Sequence, residues 1–154
     1  MISKNIKTLI ESKEFISVAT SDLASRPNAA PKFILKVEAG HIYLVDYIIG
    51  NTFRNLKVNP LVSLSMFDNN TLMGYQINGK VQIVDRGPEY LAALDDLARK
   101  EIDLSTTRII DGVIKGKAHK AYEVAASGQF VILKVKVEEI VQIHPSGILR
   151  REKV

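Results

Sequence analysis

The chain has no cysteine and no tryptophan, and only five prolines among its 154 residues. Without cysteine, disulfides, thiolate metal sites and cysteine nucleophiles are excluded. Without tryptophan, and with no aromatics interleaved among the lysines, the stacking platform of single-strand nucleic-acid binders is missing. No apolar run approaches the roughly 20 residues that span a bilayer. Lys4 and Lys7 break the stretch that a secretory signal would keep apolar, which predicts a cytoplasmic protein away from membranes. The three histidines, His41, His119 and His144, are not spaced with one another or with carboxylates as metal ligands would be, so no metal is expected. No nucleophile motif, Walker loop or Gly-x-Gly-x-x-Gly occurs. No catalytic side chain can be named, and an enzyme built from this chain would draw its reactive atoms from a cofactor.

What is present reads as one globular domain spanning 1–154, with 46% hydrophobic and 25% charged residues. The net charge of +4 attracts phosphorylated ligands and nucleic acid alike, so it does not choose between them. The basic residues are scattered, except for Lys115, Lys117, His119 and Lys120 and the tail Arg150, Arg151 and Lys153.

The pattern along the chain predicts a mostly β protein with peripheral helices. Ile2–Ser12 suits a short helix capped by Ser3, and Glu14–Thr20 a strand before the turn Ser21–Pro27. Asn28–Val37 and His41–Asp46 form a hairpin through Glu38-Ala39-Gly40. Gly50-Asn51-Thr52 then opens a helix of about two turns that Asn59-Pro60 ends. Its unsatisfied N–H groups make a ready anion site. Leu61–Phe67 follows as a strand, and Tyr75, Ile77, Val81 and Ile83 alternate against Gln76, Asn78, Lys80 and Gln82 in the next. Gly79 within that run predicts a bulge or a close backbone approach. Pro88 starts a helix carrying Tyr90, Leu91, Leu94 and Leu97 to about Lys100, with a weaker helix at Leu104–Ile114 and an irregular stretch to Gly128. Val131, Leu133, Val135, Val137, Val141 and Ile143 are placed on one face of a last long strand. Six strands with short turns suit an antiparallel barrel.

This layout, with Pro27-Asn28-Ala29-Ala30-Pro31-Lys32 ahead of the hairpin and the Asn51-Thr52 helix after it, resembles the FMN-binding split barrels of the pyridoxamine 5'-phosphate oxidase-like superfamily. The resemblance implies a six-stranded antiparallel split β-barrel and a homodimer with flavin sites at its interface. It implies an FMN-dependent oxidoreductase that transfers hydride through the flavin to or from a small-molecule substrate. By position, Pro31, Lys32, Phe33 and Ile34 would flank the flavin ring and ribityl chain, with Lys32 a candidate phosphate cation. Asp46, Asn51 and Thr52 would border the phosphate, assisted by Arg54 and Asn55. Asn51 departs from the pattern, since many relatives carry Lys or Arg there. Tyr75 and Gln76 fall on the strand that family dimers place near the partner's flavin. Relatives using a deazaflavin or haem leave those ligands open.

The excursion at 87–128 is longer than the minimal family pattern. It is read either as a helical cap that only covers the barrel end or as a selector in which Lys115–Tyr122 borders the open side of the flavin pocket and chooses an anionic substrate or cofactor tail. The alternative from another class is a noncatalytic small basic barrel that binds nucleic acid or a phosphorylated ligand.

Overall fold

The computed structural model describes residues 1–47, 49–115 and 130–154. Its elements run α1 (Lys4–Glu11), β1 (Phe15–Ser21), β2 (Pro27–Glu38), β3 (His41–Asp46), α2 (Asn51–Val58), β4 (Leu61–Asp68), β5 (Met73–Val84), α3 (Pro88–Ile114), β6 (Val131–Ile143) and β7 (Leu149–Lys153). The strands pair antiparallel in the order β3-β2-β1-β4-β5-β6-β7, and β3 also pairs with β6. That last pairing closes six strands into a barrel and leaves β7 as an extra strand on β6. Among the described residues no helix is long and apolar enough to cross a membrane.

Two layers of apolar side chains follow from the strand alternation. Val18, Ile34, Ile42, Leu44, Leu64, Ile77, Leu133 and Val135 fill the barrel, with Ile6 and Ile10 of α1 and Leu56 of α2 packed into the same cluster. Phe33, Leu35, Tyr43, Val45, Val84 and Ile132 point outward instead, and Ala93 and Leu97 of α3 cover them. Two bulges set the phase. In β2 the register shifts between Ile34 and Lys36, so Leu35 is an extra residue, and Ile34 and Val37 both face inward. The Leu35 and Ile34 carbonyls at this kink accept hydrogen bonds from Lys100 Nζ at 3.2 and 2.6 Å. Between β5 and β6 the shift falls at Asn78/Gly79. A Cβ on Gly79 would lie 2.2 Å from the Lys136 carbonyl oxygen, so the close approach expected there is real.

Two expectations need correcting, and one strand is additional. The helix after Pro88 does not stop near Lys100: α3 is continuous to Ile114, because nothing between Lys100 and Leu104 breaks the backbone and Lys100 is pinned to the β2 bulge. Val141 and Ile143 do not share the face of Val131–Val137; the bulge at Glu138 turns Ile140 inward and puts them outward. The six-stranded barrel is as expected; among the described residues Leu149–Lys153 adds a further strand outside it, paired with Glu139–Ile143. Lys117, His119 and Lys120, and the Lys115–Tyr122 stretch beyond Lys115, lie outside the described residues.

Candidate functional site

The turn between β1 and β2 is built by Asp22, whose Oδ1 accepts from the Ala24 and Arg26 backbone N–H groups at 2.9 Å each. Its Oδ2 meets Arg26 Nε at 2.9 Å. These hydrogen bonds, the Arg26 N–H first, hold the Asp22 carboxyl below its ordinary pKa. Across from this turn, α2 starts at Asn51 after Gly50, and no described side chain caps it. Its first N–H groups and the positive end of its dipole are left for a ligand. Asp22, Arg26, Pro27, Asn28, Asn51 and Asn55 line a cavity of about 260 Å³ between the two. Arg54 Nη2 donates to Asn51 Oδ1, which holds a guanidinium against the first turn of α2.

The walls are tied together from below. Asn28 Nδ2 donates to Thr52 Oγ1 at 3.1 Å, and Asn55 Nδ2 to Thr20 Oγ1 at 3.1 Å. Asn59 Nδ2 donates to Ser21 Oγ at 3.1 Å. The buried polar and charged residues among those described are Thr20, Lys32, Asp46, Thr52 and Asn55. A buried polar group costs about 1–3 kcal/mol if unsatisfied, so pairing of this kind fixes the direction of each amide.

From this cavity a flat strip of small side chains runs along the outside of the barrel. The register sets Ala29, Ala19 and Ser63 in one cross-strand row and Pro31, Ser17 and Ser65 in the next. Thr20 and Ser21 border an open depression of about 400 Å³ on this side, which Ala19, Leu61, Ser63 and Asn78 also line. Further across, Gln76 Nε2 donates to Ser63 Oγ at 3.2 Å, and Asn78 Nδ2 to Glu139 Oε2 at 2.8 Å. Among the described residues no helix covers this outer face, and Phe15, Leu61, Phe67, Ile143 and Leu149 are exposed on or beside it.

The expected site residues separate into two groups. Asn51, Thr52, Arg54 and Asn55 gather at the α2 start, and Pro31 lies on the small-residue strip. Lys32 and Asp46 lie inside the barrel mouth, paired Nζ to Oδ1 at 2.6 Å. Lys32 therefore spends its charge on Asp46 rather than presenting it to the cavity. Ile34 is in the barrel core, and Phe33 lies under α3 with Lys100 Nζ 5.3 Å from its ring. Ile34 is turned away from the strip, whereas Phe33 shares its outer face in the next cross-strand row, opposite Phe15 with the rings 5.7 Å apart, and bounds its end. Of the two strand residues near it, Gln76 joins the outer ladder while Tyr75 packs against the core. Sequence reasoning passed over Arg26, Asn28 and the turn-forming Asp22. The Asp22–Arg26 spacing inside a polar turn was the available signal. Among the described residues no group of three or more His, Asp or Glu side chains is placed to hold a metal ion.

The sequence model of the family described as pyridoxamine 5'-phosphate oxidase matches residues 2–144. The chain belongs to that family. Within its wider fold, HupZ of Group A Streptococcus superimposes with a TM-score of 0.63 at 21% identity, covering 94% of this chain and 96% of that one. A pyridoxamine 5'-phosphate oxidase-related, FMN-binding protein from Nostoc punctiforme gives 0.55 at 10%, covering 92% and 87%. A heme-binding protein from Mycobacterium smegmatis gives 0.63 at 16%, covering 96% of this chain and 55% of that one. At such identities the likeness concerns the pyridoxamine 5'-phosphate oxidase-like fold alone. Among curated proteins nothing matches.

Proposed function

We propose that the protein is an FMN-binding flavoprotein acting as one domain, with oxidoreductase activity on a small molecule. The observation that carries the reading is the uncapped start of α2 opening onto a polar cavity that continues into the small-residue strip. A phosphate suits the first part: the N–H groups of Asn51, Thr52 and Phe53, the Asn51 amide, the second amide hydrogens of Asn28 and Asn55, and the Arg26 Nη groups, its Nε being held by Asp22, are donors. Asp22 does not spoil the fit, because its oxygens are taken up by its own turn and by Arg26. The strip suits the ring, since side chains no larger than Ser and Pro let a flat heterocycle lie close to the strands.

When bound, FMN would supply hydride transfer at its own ring. The chain's residues bind and orient it: the α2 donors anchor the phosphate, the strip sets the plane, and the outer apolar rim admits a second copy that excludes water. That dimer would place Gln76 and Asn78 of one copy against the strip of the other. Membership of the family supports FMN; the structural neighbours include a heme-binding protein as well as an FMN-binding one and do not separate the two ligands.

The test is the visible spectrum of the purified protein, with mass spectrometry of what denaturation releases. A yellow protein that bleaches on reduction and releases FMN is expected. Asn51→Ala and Asn55→Ala should weaken FMN more than riboflavin, which lacks the phosphate. A colourless protein that takes up no FMN, or equal losses for both flavins, overturns the reading.

A further inference from the structure

The geometry points to a second small-molecule site, on the other flank of α2, for a single-ring aromatic cation. Among the described residues, Ile49, Phe53, Asp85, Tyr90, Phe130 and Val131 line a half-enclosed cavity of about 510 Å³, within the range of ligand pockets. It is separate from the polar cavity because Asn51 and Asn55 share one side of α2, whereas Phe53 projects from another.

The walls are aromatic and fixed. Phe130 and Tyr90 stack with ring centroids 5.6 Å apart, and Tyr47 backs Phe130 at 6.0 Å. The Tyr90 hydroxyl donates to the Phe130 carbonyl at 3.3 Å, so the ring is held by its edge as well as by its contact with Phe130. Among the described lining residues the one charged group is the carboxylate of Asp85, at the junction of β5 and α3. It pairs with the adjacent Arg86, at 3.6 Å on a largely exposed side chain, and such exposed pairs are weak. Aromatic faces carry negative potential, and a carboxylate at their rim adds to it. That combination selects an apolar ring bearing an amidinium or ammonium, with the ring between Phe53 and Phe130 and the cation at Asp85. The inference goes beyond the flavin reading and does not depend on it.

The probe is benzamidine, with benzyl alcohol and benzoate as neutral and anionic controls of the same size. Tyrosine emission is usable because the chain lacks tryptophan, and methyl NMR reports Ile49 and Val131 directly. Benzamidine should shift both methyls saturably, benzyl alcohol should bind more weakly, and benzoate should not saturate. Asp85→Asn should weaken benzamidine about tenfold, the loss of one charge-assisted contact, while leaving FMN retention unchanged. Asn51→Ala should do the reverse. Benzoate binding as well as benzamidine, or an Asp85→Asn variant that binds it undiminished, overturns the charge selection. Absence of saturable shifts in a variant that keeps native methyl dispersion overturns the site itself. Displacement of benzamidine by FMN would merge this cavity with the flavin pocket and overturn its independence, without touching the flavin reading.

Discussion

Lys32 and Asp46 meet Nζ to Oδ1 at 2.6 Å across the β2–β3 hairpin because Leu35 is an extra residue in β2. Near the turn Glu38 pairs with His41; beyond the bulge Phe33 pairs with Val45, and one more step of that register sets Lys32 opposite Asp46. Without the bulge Asp46 would face Phe33. A backbone irregularity therefore decides whether the barrel mouth holds a neutralised pair or a carboxylate against a ring.

Removing one member of a buried ion pair costs roughly 3–5 kcal/mol, because the other charge stays desolvated. Lys32→Ala should accordingly lower stability by about that much in urea unfolding. It should weaken FMN and riboflavin alike, since Lys32 is turned toward Asp46. A selective loss of FMN at unchanged stability would return Lys32 to the phosphate.

Lys100→Met removes the donor that serves two carbonyls at the same bulge, and should cost about 1–3 kcal/mol. Burial pushes the Lys100 pKa down from its ordinary value. The folded protein then binds fewer protons than the unfolded chain between the lowered and the ordinary lysine pKa, so its stability rises with pH through that window. The rise should disappear in Lys100→Met. Denaturant midpoints measured between neutral pH and about pH 10.4, the ordinary lysine value, check both statements.

Gly79→Ala should be among the most damaging single changes in the barrel, because the new methyl would sit 2.2 Å from the Lys136 carbonyl oxygen. A loss above about 3 kcal/mol, or failure to fold, is expected, in the range reserved for backbone clashes. Gly40→Ala, with nothing within 4 Å of its added methyl, should cost less despite its positive φ. Comparing the two melting temperatures separates steric contact from backbone strain.

The exposed rim of Leu61, Phe67 and Ile143 on the uncovered outer face should hold two copies together at micromolar concentration. Light scattering of Phe67→Asp should show a monomer that has also lost flavin. A wild-type monomer that keeps FMN would remove the dimer from the proposed site.

Much of the fold was legible because alternation is a strong signal wherever one face is buried. Tyr75-to-Ile83 and His41–Asp46 carry it openly, and Gly79 announced its own constraint. β7 was not legible: Leu149–Lys153 has four charged residues in five and buries none, so its pairing leaves no hydrophobic trace. The phase change in β6 was hidden for a related reason. Val137, Ile140 and Val141 are all apolar, and composition does not say which of them points inward. At the site, Asn51 and Thr52 stood out as a helix start, whereas the Lys32–Asp46 pairing depends on a register no local pattern reveals. Arg26 was missed because its role comes from the turn that Asp22 builds.

Strand β6 has a bearing on how the chain reaches this state. It is the neighbour of β3, β5 and β7 at once, and its contact with β3 joins positions some ninety residues apart, as His41 and Lys136 show. During synthesis β3 and β5 emerge early and wait, each with a row of unsatisfied backbone groups, until Val131–Ile143 arrives to occupy both. Such long-range closure is slow and leaves the nascent chain open to wrong pairings. A ribosome stalled before Val131 would therefore hold an open sheet with two adhesive edges, and the order of translation itself becomes a hazard that the finished barrel no longer shows.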